Sequence, residues 1–258
     1  MSIKNWLNSL RKESVEYEGL TLPAVHLRTG GHQFRENTFF VWSANQEVER
    51  LKACFNLSTA SVLLDIGCGF GRLAIGLLNT LDNISYIGVD VNNKAIEWCQ
   101  KHIARQYPNF RFIHLDLQNK RYNPNGKLID IQFRLPIESE TIDIVYLYSV
   151  FSHMLQNDVR HYLHELNRVL VVNGNLFFTA FSEQDVPVET VNPPGYQNID
   201  WKADLHCVRY NHEFLLSMIE ESGFFLEKFE HGDETEGQSA FYLTKKKAVN
   251  QDLPTPNP

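Results

Sequence analysis

From residue 61 onward, two kinds of segment alternate along the chain. Short apolar runs are typical of buried strands, and the segments between them have apolar residues every three or four positions, as in a helix. This alternation predicts an α/β fold with a mostly parallel sheet and helices on both faces. The predicted strands are 61–66, 85–91, 110–117, 142–150 and 175–181, and the predicted helices between them are 71–81, 93–106 and 155–166.

The two ends of the chain depart from this alternation. A helix is predicted from about residue 36 to residue 55, and it would form an N-terminal cap. Residues 182–208 show no clean period and are predicted to be a lid. A helix at 212–222 then precedes two strands, 224–230 and 239–246, with no helix between them, which predicts an antiparallel final strand. We expect one domain over 1–258, divided into a cap (1–56), a core (57–247) and a flexible tail (248–258).

Composition narrows the class of protein. The chain has 258 residues, 43% of them hydrophobic, which is enough for one large core. The formal net charge is −7 and no long basic segment occurs, so nucleic acid is not an expected partner. No apolar run is long enough for a membrane span or a signal peptide, and the four cysteines are scattered. We therefore expect a cytoplasmic protein with no membrane partner, while the oligomeric state is not predicted.

The segment LLDIGCGFGRLA, residues 63–74, places three glycines directly after the first strand of the alternation. Ligands of open α/β sheets bind at this edge, and glycines let a ligand approach the backbone. In a dinucleotide-binding loop the third glycine would fall at position 72, where this chain has Arg72. Gly67, Gly69 and Gly71 therefore predict a nucleoside-cofactor loop and argue against a dinucleotide.

Acidic residues end the next two strands. Asp90 could accept hydrogen bonds from both hydroxyls of a ribose, which suits either class of cofactor. Asp116 could accept from an adenine amino group, with Leu117 against the face of the ring. This second acid favours an adenosyl cofactor.

Taken together, these residues resemble the class I S-adenosylmethionine-dependent methyltransferases of the small-molecule type. The resemblance runs from Val62 to Lys245. Its further motifs are Leu135-Pro136 before TIDIVYLYSVFSHM, Arg168-Val169-Leu170 before the fifth strand, and FLLSMIEESGF near the end of the chain. The chain departs from the family in having Val171-Val172-Asn173-Gly174 where Lys-Pro-Gly-Gly is frequent, and in a longer segment at 118–134.

The resemblance implies a Rossmann-like seven-stranded sheet and transfer of a methyl group from S-adenosylmethionine to a hydroxyl or amine of a small molecule, leaving S-adenosylhomocysteine. Asp65 would fix the loop or the methionyl amino group, and the carbonyl of Ser149 would accept from that ammonium. The implied cofactor-binding residues are Asp65, Gly67, Cys68, Gly69, Gly71, Asp90, Val91, Asp116, Leu117 and Ser149. The alternatives are a catalytically inactive cofactor-binding partner subunit and an NAD(P)-dependent oxidoreductase.

The acceptor is expected between SVFSHM and the lid. His153 is the candidate general base, and the alternative is that it packs there without moving a proton.

His161 and His164 fit a solvated polar helix face better than a metal site, so no metal is predicted. The Asn192-Pro193-Pro194-Gly195 stretch is interpreted as a turn within the lid. Aromatic residues of the cap and lid are candidates for the acceptor wall: Phe34, Phe39, Phe40, Trp42, Tyr196, Trp201 and Tyr210.

Overall fold

The computed structural model describes residues 12–81, 83–130 and 132–246, so the predicted tail at 248–258 lies outside the described residues. The strands are β1 (Ser14–Tyr17), β2 (Leu20–Pro23), β3 (Val62–Ile66), β4 (Ser85–Asp90), β5 (Phe110–His114), β6 (Ile142–Leu147), β7 (Leu170–Glu183), β8 (Glu189–Val191), β9 (Val208–Asn211), β10 (Phe224–Glu230) and β11 (Ser239–Lys245). The α-helices are α1 (Asn37–Phe55), α2 (Arg72–Thr80), α3 (Asn93–Cys99), α4 (Gln156–Val169) and α5 (His212–Glu221), with a π-helical turn (Gln100–Ala104) after α3.

The central sheet has the strand order β10-β11-β7-β6-β3-β4-β5. The strands from β7 to β5 pair in parallel, and β11 pairs antiparallel with both of its neighbours, β7 and β10. The predicted α/β sheet, with its antiparallel final strand, is confirmed. Two short strands, β8 and β9, extend the sheet beside the end of β7. Strand β8 lies in the 182–208 segment, whose sequence shows no period, and β9 begins at the last residue of that segment.

Several strands have bounds that differ from the predicted ones. β5 ends at His114 and β6 at Leu147, about three residues early in each case, because the chain then turns into loops at the edge of the sheet. Ser149, which the apolar pattern assigns to a strand, has a φ of 59°. β7 begins at Leu170 instead of 175, and the predicted turn residue Asn173, with a φ of 63°, lies within it where the register against β6 shifts.

The N-terminal cap contains a β1–β2 hairpin, which the sequence pattern did not predict, and the predicted helix α1. Helix α1 packs directly across α2. Gly76 of α2 lies so close to α1 that an added Cβ would stand 2.5 Å from the carbonyl oxygen of Ala44. The absence of a side chain at Gly76 thus sets how closely the cap helix α1 approaches α2.

None of the helices within the described ranges combines the length and the apolarity that crossing a bilayer requires.

We expect Gly76→Ala to destabilise the fold by about 1–3 kcal/mol, because the methyl group must displace backbone of α1. The intrinsic helix preference for alanine, about 1 kcal/mol, works in the opposite direction and is the smaller effect. Urea unfolding measures the difference. Gln46→Ala, at an exposed position of α1, is the control and should change stability by less than about 0.5 kcal/mol. A stabilised Gly76→Ala variant would contradict the tight crossing.

Candidate functional site

A cavity of about 710 Å³ lies at the carboxyl ends of β3, β4 and β6. The loop after β3 and the end of β4 form its floor, and the segment after β6 forms one wall. Residues from the cap, the 118–129 segment and the loop before β11 complete the lining. This volume is within the range of small-molecule and cofactor sites, roughly 300–1,000 Å³.

The three glycines of the loop have positive φ angles, each for a separate reason. A Cβ on Gly67 would stand 2.5 Å from Cγ2 of Val150, and one on Gly71 would stand 2.9 Å from Cδ1 of Ile103. A Cβ on Gly69 would meet no atom within 4 Å. Gly67 and Gly71 are thus required by packing against the protein, whereas Gly69 borders open space where a ligand can approach the backbone.

Asp90 connects this loop to the next strand. Its Oδ2 accepts from the Gly69 N–H at 2.7 Å, and its Oδ1 accepts from the Asn92 N–H at 2.7 Å. A carboxylate has about four lone-pair positions, so each oxygen keeps one for a ligand hydroxyl. Burial raises the pKa of Asp90, and the backbone N–H groups of Asn92 and Gly69 oppose that effect.

Asp65, at the end of β3, is the most deeply buried acid of the cavity. It is 3% exposed, and its Oδ2 accepts from the Tyr86 hydroxyl at 2.6 Å. Burial raises the pKa of Asp65 to about 7, in spite of the Tyr86 hydrogen bond and the positive charge of Arg72. A cationic ligand group beside Asp65 would favour its ionised form.

Ser149 belongs to a closed ring of three hydrogen bonds. Its N–H donates to Oγ1 of Thr179 at 2.8 Å, the Thr179 hydroxyl donates to Oε1 of Gln238 at 2.8 Å, and Nε2 of Gln238 donates back to Oγ of Ser149 at 2.6 Å. Thr179 and Gln238 are fully buried. The ring offsets the left-handed conformation of Ser149, which costs about 1–3 kcal/mol, and fixes the backbone after β6.

A charged cluster lies between the cap and the cavity. Nη1 of Arg50 pairs with Oε1 of Glu234 at 2.6 Å, and the Tyr148 hydroxyl donates to Oε2 of Glu234 at 3.0 Å. Burial raises the pKa of Glu47, which lies beside Arg50 and Arg72. The cluster joins α1, the end of β6 and the loop before β11. None of its members was singled out from the sequence as a site residue, because its contacts link positions almost 200 residues apart.

Arg72 follows the last glycine of the loop and lines the cavity. Its guanidinium lies 5.0 Å from the centre of the Tyr148 ring and 5.5 Å from that of Phe34. Nη1 donates to the carbonyl of Ser43 at 3.4 Å. Within the described residues no carboxylate forms an ion pair with Arg72, so this cation can serve a ligand.

His153 lines the cavity just after β6. Its Nδ1 lies 3.0 Å from the carbonyl oxygen of Leu205, in the predicted lid. A carbonyl only accepts, so Nδ1 carries the proton and Nε2 presents a lone pair. Burial lowers the pKa of His153 to about 4, which keeps the ring neutral near pH 7.

The other predicted cofactor residues divide into two groups. Val91, Leu117 and Cys68 line the cavity, and burial raises the pKa of the Cys68 thiol. Asp116 is exposed and does not line the cavity; its Oδ1 accepts from the Asn123 amide at 3.2 Å. A contact of Asp116 with adenine therefore requires its side chain to give up that hydrogen bond.

The aromatic candidates for the acceptor wall divide similarly. Phe34 and Phe40 line the cavity, whereas Trp42 is 55% exposed and Phe39 packs against it. Of the lid, Leu205 and His206 reach the cavity, while the lid aromatic residues do not. Trp201 and Tyr196 pack around Phe181, and Tyr210 is fully buried.

The remaining lid and helix motifs lie apart from the cavity. The Asn192 side chain accepts from the Cys207 N–H and donates to the Ala203 carbonyl, and Gly195 has a φ of 71°, in agreement with a structural turn. His161 contacts the Asn157 carbonyl and His164 is exposed. Over residues 12–81, 83–130 and 132–246, no group of three or more histidine, cysteine, aspartate or glutamate side chains is arranged to hold a metal.

Residues 64–176 match the family model described as a methyltransferase domain. A phthiotriol/phenolphthiotriol dimycocerosates methyltransferase of Mycobacterium ulcerans is 29% identical over 143 residues, which cover 55% of this chain and 42% of that protein. The chain thus spans less than half the length of this relative.

Solved structures show the same fold. A magnesium protoporphyrin IX methyltransferase from Synechocystis with bound S-adenosylmethionine has a TM-score of 0.55 at 14% identity, covering 86% of this chain and 88% of that one. The cyclase SpnF has a TM-score of 0.56 at 15% identity, covering 80% and 82%. The resemblance to class I S-adenosylmethionine-dependent methyltransferases is confirmed.

We expect the stability of the chain to respond to the ionisation of Asp65. Because the folded pKa, about 7, exceeds the ordinary value of 3.8, the folded state holds this proton more tightly than the unfolded state. Its contribution to the free energy of unfolding therefore declines as the pH rises from about 4 to 7 and then levels off. Asp65→Asn removes this decline. The free energy of unfolding of the variant minus that of the unaltered chain should therefore increase between pH 5 and pH 7.

Urea unfolding at pH 5, 6, 7 and 8 measures this difference. Tyr86→Phe removes the donor that favours the ionised form, so it should move the levelling-off to a higher pH. An Asp65→Asn effect of the same size at all four pH values would show that Asp65 does not titrate in this range.

Proposed function

We propose that this chain, in which residues 64–176 match the family model of a methyltransferase domain, transfers a methyl group from S-adenosylmethionine to a hydroxyl or amine of a small-molecule acceptor. The observation that carries the proposal is the junction of Gly69 and Asp90. Here a glycine bordering open space is held by a carboxylate that keeps lone pairs for ribose hydroxyls. The mycobacterial relative supports a hydroxyl as the acceptor group, since its name gives a triol and a phenolic triol.

The lining residues fit the cofactor from one end to the other. Asp90 would accept from the ribose hydroxyls, and Val91 and Leu117 would pack against the nucleoside. Asp65 would pair with the methionyl ammonium, which would also donate to the carbonyl of Ser149. Arg72 would pair with the methionyl carboxylate, a role that the sequence pattern did not predict. Asp116 is retained as the proposed partner of the adenine amino group.

When bound, S-adenosylmethionine supplies a methyl group on a positively charged sulfur. The contribution of the protein is alignment, because displacement at such a centre gains chiefly from the proximity and orientation of the two reactants. The glycine loop and the Ser149 ring fix one side of the cavity. The cap and the lid enclose the other side, and they reduce the access of water.

His153 is proposed to receive the proton of an acceptor hydroxyl at Nε2. Its Nδ1–H is held by the Leu205 carbonyl, which fixes the orientation of the ring. With a pKa of about 4, His153 is a weak base that is always in its accepting form near neutral pH. Its contribution is therefore expected near the lower end of general-base effects.

A second candidate function is cofactor binding without methyl transfer. The likeness to the cyclase SpnF favours keeping it, because proteins of this fold also carry other activities. Tight binding of S-adenosylmethionine with no methyl transfer to a wide panel of alcohols, phenols and amines would support this function over the first.

Asp90→Ala should weaken S-adenosylhomocysteine binding at least tenfold, because it removes the ribose acceptor and releases the Gly69 N–H. Isothermal titration calorimetry measures the affinity. Asp143→Ala is a matched control: its carboxylate accepts from the Val62 N–H at the opposite end of β3, at 2.8 Å, so affinity should stay within twofold. Binding of NAD but not of the adenosyl ligand by the unaltered chain would refute the proposed function.

His153→Ala should lower turnover about 100-fold while leaving S-adenosylhomocysteine affinity within twofold. Transfer of a labelled methyl group to the best acceptor of a phenol and alcohol panel measures turnover, and calorimetry measures affinity. Because the pKa of His153 is about 4, its ring stays neutral between pH 6 and pH 8. Protonation of His153 should therefore not lower the turnover of the unaltered chain in that range. His161→Ala is the control, and unchanged turnover in His153→Ala would exclude the base role.

A further inference from the structure

Two large apolar side chains that line the cavity are exposed to solvent. Leu128 is 74% exposed and Leu155 is 37% exposed, and both line the same cavity as the glycine loop. They belong to separate parts of the chain, the long segment after β5 and the residue preceding α4. Apolar residues scattered singly over a surface are common, but exposed apolar side chains that also line a ligand cavity offer contact to an apolar ligand.

The segment that carries Leu128 is held firmly by backbone contacts. The Gln118 N–H donates to the Lys127 carbonyl at 2.7 Å, and the Lys127 N–H donates to the Asp116 carbonyl at 3.0 Å. The Asn123 side chain donates to the Leu117 carbonyl at 3.0 Å. Leu128 directly follows this paired stretch, so the fold presents its side chain to solvent at a defined position.

Other apolar residues line the same cavity. Ile129, Met154, Leu205 and Leu117 are among them, and Met154 directly follows His153 in the chain. The apolar part of the lining therefore includes both the exposed leucines and the neighbour of the residue proposed to receive the acceptor proton. The cofactor residues Asp65 and Asp90 lie on other elements of the lining, at the ends of β3 and β4.

We propose that the acceptor carries an extended apolar chain, and that this chain leaves the cavity between Leu128 and Leu155. The inference rests on the proposed function and defines the class of its substrate: a hydroxyl or amine at the end of, or attached to, an alkyl or similar apolar group. The long 118–134 segment then has a role, since it supplies one side of this exit.

Straight-chain primary alcohols from hexanol to nonanol are suitable probes. They are titrated by calorimetry into the full chain saturated with S-adenosylhomocysteine. Each added methylene that becomes buried should tighten binding about fourfold. Leu128→Asp and Leu155→Asp should each weaken nonanol binding at least fivefold and leave S-adenosylhomocysteine affinity within twofold.

Leu226→Asp and Phe225→Asp are matched controls. Both residues are exposed apolar positions on β10, at the far edge of the sheet, with exposures of 37% and 56%. They should leave alcohol binding unchanged. Thermal unfolding of each variant verifies that the fold is retained, and a variant that fails to fold is replaced by Leu128→Ser or Leu155→Ser.

Affinity that does not increase with chain length, or an equal loss in the β10 controls, would overturn the proposal. So would sedimentation that shows a dimer lost on Leu128→Asp with alcohol binding unchanged, because Leu128 would then contact a second copy. Failure of the unaltered chain to bind S-adenosylhomocysteine would reject the proposed function. Alcohols that do not bind while S-adenosylhomocysteine does would reject the apolar exit alone.

Discussion

The carboxylate of Asp90 holds the glycine loop against the sheet, and the shape of the cavity depends on this contact. One oxygen accepts from the Gly69 N–H and the other from the Asn92 N–H, so a single side chain fixes both the loop after β3 and the turn after β4. A loop of three glycines has many accessible conformations, and ordering it is costly. By using its own acid as the anchor, the chain orders the loop before any ligand arrives.

The part of the cavity formed by the segment after β6 is fixed by contacts from distant parts of the chain. Ser149 is held by Thr179 and Gln238, and Tyr148 is joined through Glu234 to Arg50 of the cap helix. Both Gln238 and Glu234 come from the short connection between β10 and β11. The cap, the central strands and the last hairpin therefore meet at one edge of the sheet.

Much of the fold follows from local sequence. The period of apolar residues located all seven strands of the main sheet, and the spacing of Gly67, Gly69 and Gly71 indicated the ligand loop. The pattern failed where strand-like residues turn into loops, as at Ser149, because a left-handed residue leaves no mark on hydrophobic periodicity. It also missed β8 and β9, three and four residues long. Strand β9 pairs with β7 and β8 pairs with β9, so pairing, and not a period of their own, stabilises them.

The site was less predictable than the fold. Asp65, Asp90 and His153 lie where the sequence places them, since strand ends meet at one edge of a parallel sheet. Asp116 instead accepts a hydrogen bond from Asn123, because the 118–127 stretch folds back on the end of β5. The side-chain contacts of Gln238 and Glu234 in this site join residues 59 or more positions apart, and a single sequence carries no local signal for such pairs.

The ring around Ser149 also affects the order in which the parts of the cavity form during synthesis. The glycine loop and Asp90 leave the ribosome early, and they can associate once β3 and β4 pair. Gln238 emerges almost 90 residues after Ser149. A nascent chain that ends before Gln238 therefore cannot close the ring around Ser149, although the contact of Asp90 with the glycine loop can already form. The part of the cavity after β6 is thus completed later in synthesis than the part formed by the glycine loop.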